Sequence, residues 1–233
     1  MLRLVLHRAL VAIPTLIIVS MMIFGLQKML PGDPVLAMAG EDQNPQVIAA
    51  LREKYHLDKP LPTQYALWIG DVLELYVARF ELPLLKRMYA AWSADGDDAA
   101  EWNALHSAGR DTAEGRAESL QMGYSLVRLL ADLGEFDPAS LAQLKAIAPV
   151  GFPLAFAFAA AAWAVPADAC LHVYAWSWLE NQVAAAMKAI PIGQAAAQRI
   201  LAALGRRIPD AVRDASFLPD AAISNLAPGL TLA

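Results

Sequence analysis

Two groups of polar side chains sit where helical spacing could turn them to one purpose. Ser177, Glu180, Asn181, Gln182, Lys188, Gln194 and Gln198 punctuate an otherwise apolar stretch, residues 176–204. Glu114, Arg116, Glu118 and Gln121 form the second group, with Glu114 and Glu118 on one face at i, i+4. Arg116 and Gln121 add hydrogen-bonding capacity to the second group. The plainer alternative is that these residues face water or cap the ends of core helices. Catalytic patterns are missing. No G-x-x-x-x-G-K loop is present to cradle nucleotide phosphates. His7, His56, His106 and His172 are scattered, and Cys170 and His172, two apart on a helix, point to different faces. No serine or cysteine has a base at a useful spacing, so the chain reads as a non-enzyme that binds no metal itself.

The elements that carry these groups are helical. Trp176, Leu179, Val183 and Met187 follow the spacing of one helical face. Pro191 and Gly193 break that helix, and an alanine-rich helix runs over 194–204 before Gly205. The spacing predicts a long helix over 112–133 with Met122, Leu126, Leu129, Leu130 and Leu133 on one face and Gly134 as its stop. Asp137-Pro138 is an N-cap followed by a first-turn proline, opening a helix over 139–147. Residues 84–92 are expected to form a short helix, 97–107 a polar, exposed one, and Pro166 to start the helix holding the central stretch. Residues 146–167 carry no charge, yet Pro149, Gly151 and Pro153 leave too short a helix to cross a bilayer, so this segment is expected in the core. No run alternates apolar and polar residues, and an all-α fold is expected.

At 233 residues, with 58% hydrophobic and 18% charged residues, the chain is apolar for a soluble protein. Its net charge of -5 offers no basic footprint for nucleic acid. Cys170 is the one cysteine, so no internal disulfide can form.

W-S-W-L-E-N-Q at 176–182, followed by Lys188 and P-x-G-Q at 191–194, closely resembles the signature of the UreF family of urease accessory proteins. E-G-R-A-E-S-L-Q-M-G at 114–123, F-E-L-P-L-L at 80–85 and F-P-L-A-F at 152–156 extend the likeness over about residues 69–233. The resemblance implies an all-α helical bundle, usually dimeric, that bridges a nickel-delivering GTPase and other accessory proteins to apo-urease. Nickel would be handled by the partner complex, with no cofactor bound directly. Glu114, Arg116, Glu118, Gln121, Ser177, Glu180, Asn181, Gln182, Lys188 and Gln194 would then form partner surface.

The start of the chain differs. Residues 9–27 are uncharged and reach roughly 28 Å as a helix, near the thickness of a bilayer core. Arg3 and Arg8 precede them, which keeps the N-terminus cytoplasmic. M-L-R-L-V-L-H-R, this run, L-P-G-D-P at 30–34 and I-A-A-L-R-E-K-Y-H-L-D-K-P-L-P-T-Q-Y at 48–65 resemble the start of an ABC-transporter permease subunit of the dipeptide, oligopeptide or nickel branch. A short helix over 51–57 is expected there. The join falls near Trp68, with no flexible linker. The sequence therefore implies a permease-like fragment (1–68) with one transmembrane helix (9–27), ahead of a UreF-like domain (69–233). The full chain is expected at membranes, and its UreF-like part is suited to the cytoplasm. The alternatives are a membrane permease subunit for peptides or nickel, or a non-functional fusion of two gene fragments.

Overall fold

Local capping sets most of the helix limits. In a computed structural model, which describes residues 44–93, 98–110 and 112–225, every regular element among the described residues is helical. Two units divide the chain, Met1–Lys59 and Pro60–Ala233. In the first, α1 (Pro45–Lys54) starts at Asn44, whose side chain accepts from the Gln46 amide at 2.9 Å, and carries Arg52 and Lys54 in its last turn. It begins six residues before the expected 51–57. Asn44-Pro45 is itself a cap and first-turn proline, and it sets the earlier start. The expected transmembrane segment, 9–27, lies outside the described residues. Among the described residues no helix is long and apolar enough to cross a membrane.

The second unit opens with one continuous helical run: α2 (Leu61–Val72), a π-helical segment (Leu73–Glu81) and α3 (Leu82–Ser93). The short helix expected over 84–92 is thus only the end of a longer element. Pro83 has no N–H and would ordinarily stop a helix. Here the wider π register precedes it, and the Arg79 carbonyl that an α-helical residue 83 would serve accepts instead from the Ser224 amide at 3.1 Å.

Then follow α4 (Ala99–Ala108), α5 (Ala113–Leu133), α6 (Pro138–Ala146), α7 (Phe152–Ala162), α8 (Ala167–Ala189), α9 (Gln194–Gly205), α10 (Ile208–Phe217) and a 3-10 turn (Asp220–Ala222). Thr112 caps α5 through the Gly115 amide, Gly134 closes it in the left-handed conformation (φ 67°), and Asp137 caps α6 through the Ser140 amide. α3 and α8 are the centre, packing on each other and both on α7 and α10. Leu82, Leu84, Leu85, Leu154 and Leu179 are fully buried between them. Alanine on α7 lets its neighbours approach, and Ala155, Ala157, Ala159 and Ala160 are buried with Leu154 and Phe158.

One expected face is corrected, and one apolar row is divided between core and surface. α4 is not simply exposed, because Asn103 and His106 are buried. Asn103 clamps the loop before α7: its Nδ2 donates to the Pro149 carbonyl and its Oδ1 accepts from the Gly151 amide, both at 2.9 Å. On α5, Leu130 is buried, but Met122, Leu129 and Leu133 are exposed. α5 meets α7 instead through Ser119, Gly123 and Leu130, and Gly123 has no room for a Cβ against the backbone of residues 150–152.

Candidate functional site

Glu81, last residue of the π segment, is 1% exposed and organises polar groups from four stretches of chain. Tyr76 Oη donates to its Oε1 at 2.8 Å, and Tyr174 Oη on α8 donates to its Oε2 at 2.8 Å. His106 Nε2 on α4 stands 3.2 Å from Oε2, and Arg110 Nη2 pairs with Oε1 at 2.9 Å. A buried carboxylate persists only when so surrounded. Burial pushes its pKa up, but His106, Arg110 and the Tyr76 hydrogen bond outweigh that and hold the carboxyl at about 2. Burial, then the Glu81 charge, drives the Tyr174 hydroxyl well above its ordinary range, so it stays a donor.

Arg110 and Tyr174 also line a small cleft of about 130 Å³ between α5, the start of α7 and α8. Glu118, Ser119 and Met122 come from α5, Phe152 and Phe156 from α7, and Ser177, Trp178, Asn181 and Gln182 from α8. Ser119 Oγ accepts from the Phe152 amide at 3.3 Å, and the Phe152, Phe156 and Tyr174 rings pack on one another, fixing the apolar wall.

Of the ten residues expected from sequence, this cleft brings together four: Glu118, Ser177, Asn181 and Gln182. Glu114, Gln121 and Glu180 are exposed outside it. Arg116 braces the turn before α5, donating to the carbonyls of Ser107 (3.1 Å) and Arg110 (3.2 Å). Lys188 is exposed in the last turn of α8 and Gln194 opens α9. The Gln182 carbonyl accepts from Tyr65 Oη at 2.8 Å, tying α8 to α2. Of the row that shares one face of α8, Leu179 and Val183 are buried, while Trp176 is exposed at the surface beside Gly205.

The residues missed were Glu81, Arg110, Tyr174 and Trp178. An acid inside the apolar run F-E-L-P-L-L was the available signal, but nothing local reveals its partners. Cys170 is buried, which lifts its thiol to about 11, whereas His172 lies nearer the surface and contacts Asp168. Among the described residues no group of three or more His, Cys, Asp or Glu side chains could hold a metal ion.

Comparison with known proteins fits both sequence resemblances. The family model for UreF matches residues 62–205. A model described as the N-terminal part of a binding-protein-dependent transport system membrane component matches residues 1–80, so the two overlap over 62–80. A urease accessory protein UreF of Azoarcus sp. (strain BH72) is 56% identical over 170 residues, covering 71% of this chain and 72% of that protein. UreF proteins of Methylobacillus flagellatus and Dechloromonas aromatica are 49% and 44% identical over 167 and 168 residues, each covering 71% of this chain and 74% of the relative. With this similarity running through the π segment, the cleft and the α8 signature, the chain belongs to the UreF family of urease accessory proteins.

Proposed function

We propose that residues from about 69 onward assist nickel insertion into apo-urease by binding, not turnover. They bridge apo-urease to the other accessory proteins, including a nickel-delivering GTPase, and nickel is cargo of the assembled complex. Family membership supports the role, and one observation carries its location: Glu118 on α5 lines one accessible cleft with Ser177, Asn181 and Gln182 on α8, beside the Glu81 network. Glu114, Arg116, Gln121, Glu180, Lys188 and Gln194 would extend that surface. A homodimer fits the α5 stripe Met122, Leu129 and Leu133, which is too apolar to be left wet without reason.

This part would work in the cytoplasm, whereas residues 9–27 would hold the full chain at a membrane. Exchanging residues 1–68 for a family N-terminus should therefore raise urease activity in cells lacking their own UreF, relative to the unmodified chain. Equal restoration by both would refute the membrane argument, and restoration by neither would refute the accessory role.

A second reading, favoured by the match over residues 1–80, is that the chain is a non-functional fusion of two gene fragments, or a membrane permease subunit for peptides or nickel. Amplifying genomic DNA across the Trp68 codon tests the fusion: one continuous product supports it, and failure to obtain one removes it.

A further inference from the structure

Residues 218–225, the strap that follows α10, grip the backbone beside both members of the buried Glu81–Arg110 pair. Arg87 on α3 anchors the start of the strap, donating to the Leu218 carbonyl at 2.7 Å and to Asp220 Oδ1 at 2.6 Å. Ile223 then packs against the core. The Ser224 amide donates to the Arg79 carbonyl at 3.1 Å, two residues before Glu81, and supplies the bond that Pro83 cannot make. Asn225 Nδ2 donates to the Gly109 carbonyl at 3.0 Å, one residue before Arg110. Gly109 caps α4, so its carbonyl has no acceptor role within that helix, and the strap gives it one. Arg110 stands past the helix end, held by this turn, by Arg116 at its carbonyl and by Glu81. Arg110 and Tyr174, both bound to Glu81, line the wall of the α5–α7–α8 cleft, whereas no residue of the strap does.

Resting on the reading that this cleft captures a protein partner, we propose that Ser224 and Asn225 are positioning residues for that capture. They fix the backbone at Arg79 and Gly109, which sets the Glu81–Arg110 pair and, through it, the cleft wall. Two adjacent residues thus tie the π segment to the end of α4. A buried ion pair offsets its desolvation only while its geometry is good, so slack at either backbone site weakens the pair that places Arg110. Ser224 acts through its amide, not its hydroxyl. Ser224→Ala keeps that donor and Ser224→Pro removes it, which separates the bond from the side chain.

The test compares Ser224→Pro, Ser224→Ala and Asn225→Ala in the ¹⁵N-labelled full chain in mild detergent. Ile223, with φ -64° and ψ 125°, already has a conformation that a following proline accepts. Hydrogen exchange is followed at two buried groups, Arg110 Nε–H and the Trp92 indole N–H. Their resonances are identified by loss in Arg110→Lys and Trp92→Phe. Trp92, on α3 and edge-on to Phe158, is the reference for general loosening. Arg110 Nε–H exchange should quicken at least fivefold in Ser224→Pro and Asn225→Ala, with Trp92 unchanged and Ser224→Ala silent. Recovery of co-expressed urease accessory proteins should fall at least threefold in the same two variants. Unchanged Arg110 exchange, equal acceleration at Trp92, Ser224→Ala matching Ser224→Pro, or full recovery despite a loosened Arg110 each overturns the proposal. If Ser224→Pro does not fold, Asn225→Ala decides by the same criteria. Failure of the unmodified chain to recover any accessory protein defeats the accessory reading, and the exchange result still judges whether the strap sets Arg110.

Discussion

Replacing Glu81 with glutamine removes the charge at the centre of the polar network while keeping the side chain's shape. A free glutamate titrates near 4.5, and Glu81 in the fold at about 2. That gap, at ~1.4 kcal/mol per tenfold, makes the ionised carboxylate worth about 3 kcal/mol over its protonated form. Because the folded value is depressed, this stability is present above about pH 4.5 and is lost as pH falls towards about 2. Glutamine imitates the protonated state, so Glu81→Gln should cost about 3 kcal/mol at pH 7, within the ~3–5 kcal/mol typical of breaking a buried pair. Arg110, 22% exposed, recovers some solvation and keeps the loss at the lower end. Urea unfolding of the full chain, followed by tryptophan fluorescence, reads the right part of the molecule, since all six tryptophans lie after residue 59. The variant's stability should also fall less steeply between pH 4.5 and 3 than that of the unmodified chain. A loss under ~1 kcal/mol at pH 7, with the acid dependence unchanged, would refute the reasoning.

Other consequences are narrower. Gly123→Ala drives a methyl into the Val150 carbonyl and to 2.7 Å from the Gly151 carbonyl carbon, and should cost about 2 kcal/mol or more by the same unfolding assay. Gly134→Ala has open space around it, so only its φ of 67° opposes the change, and the loss should be about 1 kcal/mol. Cys170, buried with its thiol raised to about 11, should react with iodoacetamide at pH 8 far more slowly in the folded chain than in urea, as mass spectrometry would show. Replacing Ile17 and Ile18 with Asp should move the full chain from the membrane fraction to the supernatant if residues 9–27 are the anchor.

What the sequence made legible was what local chemistry decides. Thr112 and Gly134 bound α5, Asp137-Pro138 opens α6, and Pro191 with Gly193 separates α8 from α9, because caps and breakers act over three or four residues. Periodicity groups residues on a face without saying what covers it: the Met122, Leu129 and Leu133 row is apolar, yet α7 approaches the Gly123 side of the helix. The helix expected over 84–92 in fact runs on through Pro83, since a π register and the Ser224 amide accommodate that proline. The Glu81 network was out of reach, joining residues 5, 25 and 93 positions from it. Signature residues on α5 and α8 could be picked out singly, but only the packing of α5 and α8 around the start of α7 brings four of them to one cleft.

Partner capture through that cleft is tested most directly by co-purification. The tagged full chain and its Asn181→Ala and Glu118→Ala variants are each co-expressed with the other urease accessory proteins in cells lacking their own UreF, solubilised in mild detergent and purified. Both substitutions alter side chains at an exposed rim, so urea midpoints should stay unchanged while recovery of the accessory proteins falls at least tenfold for each. Full recovery with both variants, at unchanged stability, would contradict the assignment of this cleft as the partner surface.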